Sequence, residues 1–159
     1  MYNKVDTNMN FVEREKKTEQ FWRENNIFRK SMENRKEGET YTFYDGPPTA
    51  NGKPHIGHVE TRTIKDMIPR FQTMKGKYVP RKAGWDTHGL PVELGVEKKL
   101  GITKEAIGKT ISVVEYNKEC RADVMKFTKE WEDLTKQMGY WVDMKNPYIT
   151  YDNRYIETL

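Results

Sequence analysis

The sequence predicts an α/β fold: half of a doubly wound parallel sheet, preceded by a helical extension. Residues 41–44 are β-branched or aromatic and are typical of a short strand, and apolar residues recur at helical spacing between residues 64 and 74. Between the two lies a loop rich in glycine and proline, residues 45–54. Because ligands of such folds bind at the carboxyl ends of the strands, we expect the chemistry of the chain near this loop.

Residues 1–38 are predicted to form the helical extension, and residues 39–159 to carry the sheet. Asn10 and Glu13 have the spacing of a capping box, and the aromatic residues after them, Trp22 among them, give a helix enough apolar surface to dock. The lysines and arginines of this segment are largely offset by glutamates, which indicates a solvated face. Contact with a nucleic acid is the alternative.

A second capping box, Ser112 with Glu115, opens one long amphipathic helix that Gly139 is placed to end. Cys120 is the single cysteine, so it cannot form an internal disulfide and is interpreted as a small buried hydrophobe. Pro69 predicts a kink or an interruption in the helix that follows His58. We expect the apolar stripe of the long helix to be core: Cys120, Val124, Phe127, Trp131, Leu134 and Met138.

Charge and hydropathy leave a polyanionic partner open. The chain has 159 residues, a formal net charge of +4 and a pI near 9.0, which permits such a partner without requiring one. No apolar run approaches the roughly 20 residues of a membrane span, and the charged start does not resemble a secretory signal, so we expect a cytoplasmic protein. One basic cluster is interpreted as a solvated turn, with attraction of a phosphate-bearing ligand as the alternative. It consists of Lys75, Lys77, Arg81 and Lys82.

All three histidines and six of the seven prolines fall within residues 41–93. His55 and His58 lie where the loop passes into the predicted helix, and a helix N-terminus favours an anion through its unpaired N–H groups and its dipole. Imidazoles add directed donors. Gly57 leaves no side chain to obstruct a ligand on the backbone, and Pro47 stiffens the loop. The pattern therefore predicts a preorganised phosphate site.

Two other interpretations of this histidine pair stay open. Histidines at a helix start can cap the helix or pack against it, and histidine is also the commonest metal ligand. The spacing of a zinc-binding HExxH helix is absent, the remaining histidine is His88, and Cys120 belongs to a different predicted helix. We therefore predict no zinc site in this chain.

A second motif gives the histidine pair its context. Residues 45–52 read Asp-Gly-Pro-Pro-Thr-Ala-Asn-Gly, residues 55–58 read His-Ile-Gly-His, and residues 84–93 read Gly-Trp-Asp-Thr-His-Gly-Leu-Pro-Val-Glu. Together they resemble the amino-terminal half of the Rossmann-like catalytic domain of class I aminoacyl-tRNA synthetases, in the isoleucyl branch. Leucyl enzymes usually carry Asp-Ala-Phe-Gly, and valyl enzymes Thr-Asp-His-Ala-Gly, where residues 86–89 read Asp-Thr-His-Gly. The resemblance covers nearly the whole chain.

The resemblance implies attack of the isoleucine carboxylate on the α-phosphorus of ATP, followed by transfer of the aminoacyl group to tRNA(Ile). His55 and His58 are the implied catalytic residues, and Mg2+ is expected to accompany ATP. The implied ATP-binding residues are Gly46, Asn51, His55, Gly57 and His58. The implied amino-acid-binding residues are Pro47, Trp85, Asp86 and His88.

Asp86 has a clear physical role in such a pocket. A carboxylate beside the substrate ammonium makes a charge-assisted hydrogen bond, which is stronger than a neutral one and orients the substrate. The alternative is an aspartate that stabilises a turn next to Gly84.

The resemblance also implies three further regions of the enzyme: an inserted editing domain, a second half of the nucleotide-binding fold with a KMSKS signature, and an anticodon-binding region. We expect the chain to lack these and to need that C-terminal half as a partner. Three hypotheses stay open. The chain is part of an isoleucine-activating ligase, a stand-alone nucleotide-binding module or small adenylyltransferase, or a non-catalytic fragment that docks onto a complementary chain or tRNA. Valyl and leucyl synthetases are further alternatives.

Overall fold

The predicted α/β class is confirmed by a parallel sheet. The structure is a computed structural model and describes residue 2 and residues 4–159. In these residues the sheet comprises β1 (Phe43–Tyr44), β2 (Arg81–Trp85) and β3 (Asp143–Ile149), in the spatial order β1–β2–β3, and both neighbouring pairs run parallel. Because all strands run the same way, their carboxyl ends lie at one edge, where the loop after β1 and the residues after β2 meet.

Helices fill the connections between the strands. Before the sheet come α1 (Phe11–Glu24) and α2 (Ile27–Glu33). The β1–β2 connection is α3 (Ile56–Met74), and the β2–β3 connection contains α4 (Leu90–Leu100), a 3-10 turn (Lys104–Ala106), α5 (Val113–Asp123) and α6 (Thr128–Gln137). The short α7 (Asn153–Ile156) comes after β3. Of the helices in the described part of the chain, none is both long and apolar enough to cross a bilayer.

The central strand β2 is buried except at Lys82. Gly84 lies under the ring of Tyr148 from β3, and a Cβ added there would come within 2.2 Å of that ring. The glycine thus allows an aromatic side chain to cross the strand at close range. The register between the two strands is also irregular between Lys82 and Gly84.

The helix expected after the histidines is confirmed as α3, and it continues through Pro69 rather than ending there. The residues of its apolar repeat do not form the buried face of the helix. The buried residues are Arg62, Asp66, Pro69 and Thr73. The apolar side chains are 42% to 81% exposed: Ile64, Met67, Ile68, Phe71 and Met74.

The interpretation of the basic cluster as a solvated turn is wrong for Arg81. This side chain is buried, lies 3.5 Å from the Asp66 carboxylate and donates to Thr73 Oγ1 at 2.8 Å. Burial lowers the pKa of Arg81 to about 10. Lys77, by contrast, pairs with Glu39 at the surface.

The single helix expected to start at Ser112 is two helices, α5 and α6. The capping box of Ser112 with Glu115 is present, and Gly139 comes after α6 with φ +65°, as predicted. The break falls between residues 124 and 127, where the amide of Phe127 donates to Ala50 O in the loop after β1. At the break, the chain therefore forms a hydrogen bond to the loop instead of continuing the helix.

The N-terminal helices dock through few side chains. Asn10 caps α1 by accepting from the amide of Glu13 at 3.2 Å, which is the Asn10 half of the predicted capping box. Trp22 meets Trp141 edge-on with ring centroids 5.0 Å apart, and Phe28 lies 5.8 Å from the same ring. A domain boundary at residue 38 stays a prediction.

Candidate functional site

The two histidines of the tetrapeptide cap α3 reciprocally. His55 Nδ1 accepts from the amide of Gly57 at 3.2 Å, and His58 Nδ1 accepts from the amide of His55 at 3.1 Å. The imidazole centroids are 3.7 Å apart. Because each Nδ1 is an acceptor, a neutral ring carries its proton on Nε2. The capping alternative is thus realised, and it leaves an Nε2–H donor on each ring for a ligand.

The environment of His58 favours the neutral form of its ring. Burial, followed by the charges of His55, Arg62 and Lys65, lowers the pKa of His58 below its ordinary value of 6.5. The Trp131 ring meets the His58 imidazole in a T-shaped arrangement, with centroids 4.7 Å apart. A neutral His58 preserves the tautomer that the helix cap selects.

A side chain at residue 57 would press against the cap itself. A Cβ added at this residue would lie 3.1 Å from Cε1 and 3.2 Å from Nδ1 of His55. A side chain would therefore crowd the ring that accepts the Gly57 amide, in addition to covering the backbone where a ligand is predicted to lie.

The loop after β1 begins at a buried carboxylate. Asp45 is 1% exposed, pairs with Lys65 at 2.6 Å and lies 3.7 Å from Arg62. Lys65 also donates to Gly46 O at 3.2 Å, and Tyr148 donates its hydroxyl to Asp45 O. The start of the loop is therefore fixed to α3 and to β3.

Arg62 and Lys65 were missed by the motif reasoning, although a signal for them exists. They come four and seven residues after His58, so all three share one face of α3. In the described part of the chain, no hydrogen-bond partner reaches Arg62 Nε or Nη1, and the guanidinium lies against the rings of Tyr140, at 4.7 Å, and Trp131, at 5.4 Å.

The two sequence motifs meet at the end of β2. The amide of Asp86 donates to Pro48 O at 3.0 Å, and Thr49 Oγ1 lies 3.5 Å from Asp86 Oδ2. A second link runs from Asn51 Nδ2 to Pro91 O at 3.0 Å. The fold therefore brings the loop after β1 and the start of α4 to one edge of the sheet.

The side chains predicted to bind the amino acid differ in exposure. The Asp86 carboxylate is 38% exposed, with His88 Nδ1 3.9 Å away, and Pro47 is half-buried. Trp85 is only 3% exposed and packs with Ala50 and Trp131 in one core cluster. Its contact with a substrate stays a prediction, and in the structure it anchors the end of β2 in the core.

The described residues contain no group of three His, Cys, Asp or Glu side chains that could hold a metal ion. The polar groups that converge here are those suited to a phosphate-bearing ligand at the α3 N-terminus and a cationic group at Asp86.

Comparison with known proteins decides the family. The family described as "tRNA synthetases class I (I, L, M and V)" matches residues 17–159. The chain belongs to this family. Among relatives of this synthetase segment, the isoleucine–tRNA ligase of Bacteroides fragilis is 72% identical over 138 residues, which cover 87% of this chain and 12% of that ligase. The ligase of Clostridium novyi is 54% identical over 159 residues, covering 100% of this chain and 15% of that ligase.

A solved synthetase structure has the same fold. The ternary LeuRS–tRNA–LeuAMS complex of Agrobacterium radiobacter superposes with a TM-score of 0.61 at 24% identity, over 90% of this chain and 16% of the LeuRS chain. The predicted membership in the class I synthetases is confirmed by the family match and by the two ligases above. This synthetase segment spans 12% and 15% of the length of the two ligases above.

Proposed function

We propose that this chain carries the part of an isoleucine–tRNA ligase that binds ATP and isoleucine and forms isoleucyl-adenylate, before transfer to tRNA(Ile). The observation that carries the proposal is the hydrogen-bonded junction of the two motifs, in which Asp86 lies beside the loop that leads into the histidine cap of α3. Two ligands, one cationic and one anionic, can thus be held at the same edge of the sheet. The names of the relatives favour isoleucine.

The ATP side of the site is the N-terminus of α3. The Nε2–H groups of His55 and His58 are donors whose tautomer is already selected, and Gly57 keeps the adjacent backbone open. In adenylate formation a carboxylate oxygen of isoleucine bonds to the α-phosphorus while the bond to the pyrophosphate oxygen breaks. Negative charge grows on phosphate oxygens, so preorganised donors lower the barrier without a protein nucleophile. Gly46 and Asn51 complete the proposed ATP-binding set.

The amino-acid side is centred on Asp86. Its partly exposed carboxylate can accept from the substrate ammonium, and this contact would orient the substrate carboxylate. Pro47, Trp85 and His88 are the remaining proposed residues of this subsite. Mg2+ that accompanies ATP would be held by phosphate oxygens, since no acidic cluster among the described residues is suited to it.

The test is isoleucine-dependent exchange of pyrophosphate into ATP. We would measure it with this chain and with the full Bacteroides fragilis ligase carrying this sequence over the matched segment, in the presence of valine and leucine as competitors. We expect selective exchange with isoleucine in the chimaera and a loss on the order of a hundredfold in His58→Ala. Val114→Ala, an exposed change on α5, is the control. Exchange selective for valine or leucine, or a fully active His58→Ala variant, would contradict the proposal.

Docking onto a complementary chain is a second candidate, favoured by one observation. The outer face of α3 leaves Ile64, Met67, Ile68, Phe71 and Met74 exposed. We propose that the remainder of the ligase covers this face in the cytoplasm. Co-purification of this chain with the separately expressed remainder of the Bacteroides fragilis ligase tests this. We expect the unmodified chain to be captured and a Met67→Gln, Phe71→Gln variant to lose capture.

A further inference from the structure

Trp131 lies far from both motifs in sequence, but its side chain contacts the loop after β1 and the histidine cap. It belongs to α6 and is 1% exposed. Its Nε1–H donates to Gly52 O, in the loop before the histidines, at 2.9 Å. Its ring meets the imidazole of His58 in a T-shaped arrangement, with centroids 4.7 Å apart. One side chain therefore contacts both the loop and a ring of the histidine cap.

The same indole is joined to the amino-acid side of the site. It packs with Ala50 and Trp85 in a single buried cluster, and Trp85 directly precedes Asp86. The break before α6 supports this placement, because the Phe127 amide bonds to Ala50 O instead of extending α5. The end of α6 that carries Trp131 is thus fixed against the loop from two directions.

We propose that Trp131 is a positioning residue for adenylate formation, which holds the loop at Gly52 and the ring of His58 in register so that the Nε2 donors meet the nucleotide. The inference rests on the proposed function of the histidines. It adds a residue on α6 to a site whose motifs lie on the loop after β1 and at the end of β2. The donor to Gly52 O fixes the loop, and the ring fixes the imidazole.

Two substitutions separate these contacts from simple core packing. Trp131→Phe keeps an aromatic ring but removes the N–H donor to Gly52 O, whereas Trp131→Leu removes both. Trp141→Phe is the control for loss of an indole N–H elsewhere in the fold, because this half-buried ring packs against other groups: Trp22, Phe28 and the Arg70 guanidinium. If Trp131 served only in core packing, its two variants would lower stability, as Trp141→Phe can, and would leave His58 and the exchange activity unchanged.

The first readout is the tautomer and titration of His58 by nitrogen NMR of the histidine-labelled chain. We expect the Nε2–H tautomer in the unmodified chain and in Trp141→Phe. In Trp131→Leu the His58 imidazole should exchange between tautomers, and the pKa of His58 should rise toward 6.5 because burial is lost. The charged and titratable groups that face it remain in place: His55, Arg62, Lys65 and Asp45. An unchanged His58 in folded Trp131→Phe and Trp131→Leu would overturn the proposal.

The second readout is pyrophosphate exchange in the Bacteroides fragilis chimaera. We expect Trp131→Phe to lower kcat on the order of tenfold with little change in KM for isoleucine, because misplacement of donors affects the transition state most. An active chimaera in which Trp131→Phe matches Trp141→Phe would overturn the positioning role alone. A chimaera without any isoleucine-dependent exchange would overturn the proposed function, and with it the catalytic meaning of the Trp131 contacts.

Discussion

The two sides of α3 reverse the composition of an ordinary surface helix. Its inner side carries Arg62, Lys65 and Asp66, which pair with buried or half-buried groups, while its outer side carries apolar side chains in solvent. Most amphipathic helices bury the apolar face. Here the buried polar side is the continuation of the site, because it begins at His58 and holds the start of the loop after β1 at Asp45.

The two faces of α3 differ in the free-energy cost of the side chains that they carry. A buried charge is expensive unless it is paired, so a set of paired charges beneath a loop is retained for position more readily than for stability. An exposed apolar face contributes nothing to the fold that leaves it exposed, and it indicates a surface meant to be covered. Under the proposed function, the inner side of α3 supports the site, and the outer side is the surface that the remainder of the ligase would cover.

The largest expected effect comes from removing the charge of Asp45. Asp45→Asn has the same shape but leaves Lys65 and the buried Arg62 without their counter-charge. Breaking a buried pair in this way costs about 3–5 kcal/mol, and solvent at the partly exposed Lys65 should reduce the loss toward the lower figure. Urea unfolding at neutral pH measures it. Asp133→Asn, which breaks an exposed pair with Lys129, is the control and should change little. Equal losses in the two variants would contradict the comparison.

A smaller effect should appear as a pH dependence of stability. Because the folded chain holds the pKa of His58 below 6.5, the unfolded chain binds more protons between these two values. The free energy of unfolding should therefore fall as the pH drops through 6.5 and level off below the folded pKa. Urea midpoints at several pH values measure this slope. His58→Gln should flatten it, whereas Asn117→Gln, an exposed change on α5, should not. An identical slope in His58→Gln would show that other groups carry it.

Local signals were sufficient for much of the fold. The capping residues Asn10 and Ser112 predicted where α1 and α5 begin, and Gly139 predicted where α6 ends, because each signal acts within one helical turn. The resemblance carried by the motifs placed His55 and Asp86 near one another, and the parallel sheet brings the two motifs together.

The remaining features depend on contacts between distant residues. The period of α3 predicted a helix but could not tell which face is buried, since Arg81 and Asp45 enter from other elements to pair with its polar side. The break between α5 and α6 depends on Ala50 O, a carbonyl far from Phe127 along the chain. From the sequence, Trp131 was only one position in an apolar stripe, because its contacts with Gly52 and His58 join distant parts of the chain.

The smallest expected effect is on the outer face of α3, where Phe71 is 54% exposed. Phe71→Gln should leave the free energy of unfolding unchanged to within about 0.5 kcal/mol, because a surface side chain without packing contributes little. On the inner side, Thr73→Val should cost about 1–3 kcal/mol, since it removes the hydroxyl that accepts from Arg81 and leaves a buried donor unpaired. Urea midpoints of both variants, measured at low concentration, test the contrast. A loss in Phe71→Gln as large as in Thr73→Val, and growing with protein concentration, would show that copies of the chain already cover this face.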